Sequence, residues 1–190
     1  MRCKAYPDQT AGDGYDPEFL ITTVLHMERL VHQARPGGQN VHTIRVSDPK
    51  MHFSSAHFVE DAEGCERLHG HNYYVEIELS GQLDEHGMVA DFRAVRRRIV
   101  EICEELDHRV LLPGKSESIQ LKHKEDSIEI MVDQKNYVFP ASDCVVLPIM
   151  TTTAELLAEL ILQRSGLSDE FEQAKVCVAE SRFSFGCYET

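Results

Sequence analysis

The chain has 190 residues, a net charge of −13, and 42% apolar against 27% charged residues, which is the profile of a soluble globular domain long enough to bury a core. The acidic balance argues against non-specific binding to nucleic acid or an anionic membrane, so neither is expected as a partner. No apolar run approaches ~18 residues. The first sixteen residues lack the apolar stretch of a signal peptide, so a cytoplasmic protein is expected. Its six cysteines (Cys3, Cys65, Cys103, Cys144, Cys177 and Cys187) are scattered, and in such a protein are expected as reduced thiols.

After a polar, turn-rich start, residues 16–34 carry Asp16 as a cap, Pro17 at the first helical position, and Phe19, Leu20, Val24, Met27, Leu30 and Val31 at helical spacing. Gly37 and Gly38 end that helix. Strand character follows at QNVHTIRV and, beyond a Ser-Asp-Pro-Lys turn, at MHFSSAHF. From Asn72 to Leu79 the chain alternates: Tyr73, Val75, Ile77 and Leu79 take one face, and Asn72, Tyr74, Glu76 and Glu78 the other. The same alternation run backwards puts His69 and His71 beside Tyr73.

A loop spans 81–87. Asp91 caps a helix whose buried stripe is Phe92, Val95, Ile99, Ile102 and Leu106, with Arg96, Arg97 and Arg98 largely off it. Pro113 and Gly114 break the pattern, and 127–139 reads as a hairpin turning near Asp133–Asn136. A second helix starts near TTTAELLAELILQR, where Thr152 and Glu155 have capping-box spacing. Strands at AKVCVAES and RFSFGCYE close the chain. Antiparallel strands with helices on one face give an α+β fold.

The chemistry concentrates in FSSAHFVEDAEGCERLHGHN. His69 and His71, two apart on a strand, project from one face. His57 from a neighbouring strand supplies a third imidazole. Three nitrogens suit zinc and leave a tetrahedral position open, the catalytic pattern. Cys65 admits a rival: a closed Cys-His₃ site that is purely structural, making the protein a zinc-stabilised assembly module. Ordinary hydrogen-bonded histidines are the bland alternative. His26, His32, His42, His52, His86 and His123 show no partner pattern and read as surface or packing residues.

The motifs FSSAH, CERLHGHNY, GMVADF, LDH, TTAELLA and VCVAES fall in the order of the 6-pyruvoyltetrahydropterin synthase family, which includes 6-carboxytetrahydropterin synthase, and the chain resembles that family over residues 41–190. The resemblance implies a T-fold: a four-stranded antiparallel sheet carrying two helices, assembled as trimers or hexamers with active sites between subunits. Residues 1–40 would be a partly helical extension, and residues near 115–147 an inserted hairpin within a single domain over 41–190. The resemblance implies zinc on His57, His69 and His71, with Cys65, Asp107 and His108 as proton-transfer groups. It also implies Glu180 and Thr153 at the pterin. Ala154 and Ser181 depart from the usual pattern without removing a catalytic group.

The implied substrate is 7,8-dihydroneopterin triphosphate. Cys65 stands four residues before His69, which resembles the carboxy-type members more than the animal pyruvoyl-type ones with their longer spacing, so the resemblance implies the product 6-carboxy-5,6,7,8-tetrahydropterin, on the route to 7-deazapurines such as queuosine, over the pyruvoyl product of tetrahydrobiopterin synthesis. ERLHGH also matches the Glu-x-x-His-Gly-His pattern of variants that cleave the side chain to 6-hydroxymethyl-dihydropterin for folate, so the role of Glu66 stays open.

Overall fold

The computed structural model describes residues 40–61, 64–65 and 67–190; the helix expected over 16–34 lies outside them. β1 (His42–His57) is followed by a two-residue pair, β2 (Glu60–Asp61) and β3 (Gly64–Cys65), and then by β4 (His69–Gly81). α1 (Phe92–Leu106) leads to β5 (Arg109–Pro113), β6 (Ile119–His123), β7 (Ser127–Val132), β8 (Lys135–Pro140) and β9 (Cys144–Leu147). α2 (Ala154–Ser165), β10 (Gln173–Ser181) and β11 (Ser184–Glu189) complete the chain.

The main sheet runs β11-β10-β4-β1-β5-β9. Its first four strands are antiparallel neighbours, while β5 and β9 extend the β1 edge in parallel. The expected four-stranded sheet is thus the antiparallel part of a six-stranded mixed one. The expected hairpin is the β7–β8 half of a separate three-stranded sheet, β6-β7-β8. Parallel strands are joined only through long crossovers, so local sequence pattern does not announce them. Both faces of β5 are covered, as parallel strands require: Leu111 joins the helix-side core, while Val110 and Leu112 join Ile119, Ile128, Ile130 and Val132 of the small sheet.

Both helices pack on one face of the main sheet. Val95, Ile99, Ile102 and Leu106 of α1 and Leu157, Leu160 and Ile161 of α2 share one core with Phe53, Tyr73, Val75, Ile77 and Val176. Asp91 caps α1 by accepting the Arg93 amide at 2.9 Å. Phe92, expected in the stripe, is 57% exposed. It occupies the first helical position, where a side chain leans back beyond the packed turns. The Ser-Asp-Pro-Lys segment is no strand break: β1 continues through it, with a register shift between Ser47 and His52. Cys177 and Cys187 lie directly opposite in the β10–β11 register and form a disulfide, contrary to the expectation of thiols, whereas Cys103 and Cys144 are free. Their spacing of ten residues carries no motif; the short β10–β11 turn brings them together. Among the described residues no helix is long and apolar enough to cross a membrane.

Candidate functional site

The three expected metal ligands converge. β1 and β4 pair antiparallel with His57 opposite His69 and Ser55 opposite His71. Pleat alternation puts all three imidazoles on the helix-side face with Tyr73. The glycine between the two β4 histidines lets the strands approach, because a Cβ at Gly70 would lie 2.8 Å from the Ser55 carbonyl oxygen. One ligand atom from each of His57, His69 and His71 lies within 4.8 Å of the others.

The hydrogen bonds set the tautomers. His57 Nδ1 is 3.0 Å from the Thr152 carbonyl oxygen, and His69 Nδ1 is 2.8 Å from that of Arg67. A carbonyl only accepts, so each Nδ1 carries a proton, and the neutral His57 ring keeps its lone pair on Nε2. These two Nε2 atoms are 3.0 Å apart. Two imidazole nitrogens that close share either a proton or a cation, and the three-nitrogen donor set fits a divalent metal that takes imidazole nitrogen. Burial, together with the neighbouring His69 and His71 and against the Thr152 hydrogen bond, lowers the His57 pKa to about 4, so the ring is neutral and ready to ligate.

Two clefts flank this centre. The first, about 250 Å³, is lined by His69, Thr153, Glu155, Glu180, Phe185 and Gly186, among others, so it gathers both expected pterin contacts next to one of the three clustered histidines. Thr153 is the N-cap residue of α2 yet makes no side-chain cap bond. Gly186 has no room for a Cβ against Ala154 and Glu155, so β11 packs tightly on the start of α2. Burial and the Glu180 carboxylate push the Tyr73 hydroxyl up, which keeps it protonated.

The second cleft, about 580 Å³, includes Ser54, Ala56, Gly70, His71, Asn72, His108 and Arg109 in its lining. Asp107 and His108 stand at the end of α1. His108 donates its amide to the Ser54 carbonyl at 2.8 Å, and Asp107 Oδ1 accepts the Ser54 amide at 2.7 Å. Asp107 Oδ2 lies 2.7 Å from His108 Nδ1. Burial raises the Asp107 carboxyl, but the Ser54 amide and the His108 imidazole outweigh it and hold the group below its ordinary range. His108 is exposed, and its φ is 55°.

Ser54, Ala56, Gly70 and Asn72 alternate with the three histidines, so within one chain this cleft opens on the sheet face away from the helices. The structure therefore brings together His57, His69, His71, Thr153 and Glu180, while His108 shares the second cleft with His71 but not with Thr153 or Glu180. The backbone of Cys65 lies in β3, paired with Glu60; Glu66 lies outside the described residues. His52, read as bland, stacks on Tyr74 with ring centroids 6.2 Å apart.

Thr152 was missed as a site residue. Its spacing to Glu155 suggests a cap, but the cap is Thr153. The Thr152 hydroxyl instead donates to the Phe58 carbonyl at 2.9 Å and lies 3.3 Å from His57 Nδ1. The only sequence signal was a run of three threonines before a helix.

A sequence profile described as 6-pyruvoyl tetrahydropterin synthase matches residues 45–189. A Methanocaldococcus jannaschii protein that carries the 6-carboxy-5,6,7,8-tetrahydropterin synthase name in provisional form is 38% identical over 109 residues, 57% of this chain and 67% of that one. The 6-carboxy-5,6,7,8-tetrahydropterin synthase of Haemophilus influenzae is 27% identical over 143 residues, 72% of this chain and 93% of its own. Among solved structures, 6-pyruvoyl tetrahydropterin synthase from Plasmodium vivax superposes with a TM-score of 0.75 at 28% identity, covering 80% of this chain and 99% of that one. Variants of that Plasmodium enzyme in which a catalytic glutamate is replaced have also been solved.

Proposed function

The chain belongs to the 6-pyruvoyl tetrahydropterin synthase family, and we propose that it is a zinc-dependent lyase that converts 7,8-dihydroneopterin triphosphate to 6-carboxy-5,6,7,8-tetrahydropterin, in the cytoplasm, on the route to 7-deazapurines. The observation that carries this reading is the three-histidine cluster opening beside a cavity that also holds Thr153 and Glu180. The relatives that carry the 6-carboxy name, and Cys65 four residues before His69, favour the carboxy product.

His57, His69 and His71 hold the metal, which when bound supplies a Lewis acid that acidifies hydroxyl and C–H groups of the substrate side chain. The Glu180 carboxylate accepts two hydrogen bonds from the amino-pyrimidine edge, and Thr153, whose hydroxyl the helix does not use, orients the ring. Cys65 takes a proton from the substrate as thiolate. His108 passes protons with Asp107 fixing its tautomer. Because His108 and Glu180 line different clefts of one chain, we assign the working site to a homo-oligomer, a trimer or hexamer, in which a second copy supplies Asp107 and His108.

Purified protein is expected to hold about one zinc per chain and to release 6-carboxytetrahydropterin, identified by mass spectrometry. Cys65→Ala is expected to keep the zinc and lose turnover. A variant that loses zinc and stability together would instead mark the closed structural site. A second reading has one observation in its favour: the Plasmodium enzyme, similar over nearly its whole length, has a catalytic glutamate. If Glu66 plays that part here, Glu66→Gln and not Cys65→Ala abolishes turnover, and the product is 6-hydroxymethyl-dihydropterin.

A further inference from the structure

Three threonines precede α2, and the middle one is built into the metal centre. Thr152 is fully buried, and its two oxygen atoms grip the His57 region at separate points. The carbonyl accepts His57 Nδ1–H at 3.0 Å. The hydroxyl donates at 2.9 Å to the carbonyl of Phe58, the residue that follows His57. A closed circuit results: His57 ring, Thr152 carbonyl, Thr152 hydroxyl, Phe58 carbonyl, His57 backbone. Within it the ring cannot flip without losing its acceptor, and the acceptor cannot drift without stranding the Phe58 carbonyl. The Tyr73 hydroxyl, 3.1 Å from the same Nδ1, closes the remaining side.

We propose that Thr152 is the positioning residue of the metal centre: its carbonyl holds His57 in the Nδ1-protonated tautomer with Nε2 toward the metal, and its hydroxyl holds that carbonyl in place. This rests on the reading of His57 as a metal ligand. The same residue links the metal to the neighbouring cavity, because Thr153, Ala154 and Glu155, next in the chain, form part of the cavity wall. Outer-sphere partners of ligating histidines carry much of a site's metal affinity, and losing one weakens binding by about 10–100-fold.

The test compares zinc affinity, by competition with a chromogenic chelator, in the wild-type protein, Thr152→Val and Thr152→Ser, with thermal unfolding of each metal-free form. Valine keeps the shape and the carbonyl but removes the hydroxyl; serine restores it. Thr152→Val is expected to weaken zinc by about 10–100-fold, with Thr152→Ser within about threefold of wild type. A packing role alone predicts a lower unfolding temperature in Thr152→Val with unchanged zinc affinity, and that result overturns the proposal. So does a serine variant as weak as the valine one. Long-range proton–nitrogen NMR of histidine-labelled, zinc-loaded wild type supplies an arm that needs no variant. His57 is expected to carry its proton on Nδ1; a proton on Nε2 overturns the assignment even if Thr152→Val fails to fold. A wild type that takes up no zinc overturns the metal reading itself, an outcome distinct from either of these.

Discussion

At residue scale, His57 and His108 sit in opposite surroundings. His108 is exposed and holds a left-handed φ of 55°, a conformation that costs a residue with a Cβ about 1 kcal/mol. Its side-chain bond to Asp107 is solvent-facing and contributes little to folding. His108→Gly is therefore expected to leave stability unchanged or raise it by up to about 1 kcal/mol, while turnover falls by about 10²–10⁴. Denaturant unfolding and steady-state kinetics check both halves; a loss of stability would show that the imidazole has a structural role. His57 is buried, and its folded pKa of about 4 lies below the ordinary 6.5. A neutral buried histidine contributes stability that is fully present above the unfolded value and is lost as the group is protonated in acid. The metal-free protein is thus expected to lose stability as pH falls from about 6.5 toward about 4. Urea midpoints across that range check it, with His57→Gln flattening the dependence.

At the scale of elements, the three-histidine cluster depends on how closely β1 and β4 approach. With Cβ 2.8 Å from the Ser55 oxygen, Gly70→Ala forces the strands apart. It is expected to cost about 1–3 kcal/mol and to weaken zinc binding by at least about tenfold, because ligand geometry is disturbed along with the strands. Normal zinc affinity in a folded Gly70→Ala variant would show that the close approach serves packing alone. The same two strands explain what could be read in advance. His69, His71 and Tyr73 share a face because a strand has period two, and that is legible in a single sequence. His57 is expected beside them as a third imidazole from a neighbouring strand, but the register that sets it opposite His69 is not written in the periodicity of either strand. Thr152 was not legible, since its hydrogen bonds reach residues nearly a hundred positions away. The parallel strands β5 and β9, and β6 with its polar IQLKH, were hidden for a related reason: their pairing partners, not their own periodicity, make them strands.

For the whole molecule, the division of the site between two clefts decides what can be measured. Glu180 lies beside His69 on one side, and His108 lies beside Ser54 and Asn72 on the other. If each working site joins Glu180 of one copy to His108 of another, two inactive variants can repair one another. In a mixed oligomer, a copy bearing His108→Ala still offers an intact Glu180 cavity, and a copy bearing Glu180→Gln still offers an intact Asp107–His108 pair. Random assembly of equal amounts then restores about a quarter of the sites, those in which an intact cavity faces an intact pair across a subunit boundary. The expected result is little turnover from either variant alone and about one quarter of wild-type turnover after joint refolding or co-expression. Mixing the folded oligomers without subunit exchange should restore none. Failure to recover activity in oligomers shown by mass spectrometry to contain both variants would mean that Glu180 and His108 act within one chain, through closure of the two clefts onto each other.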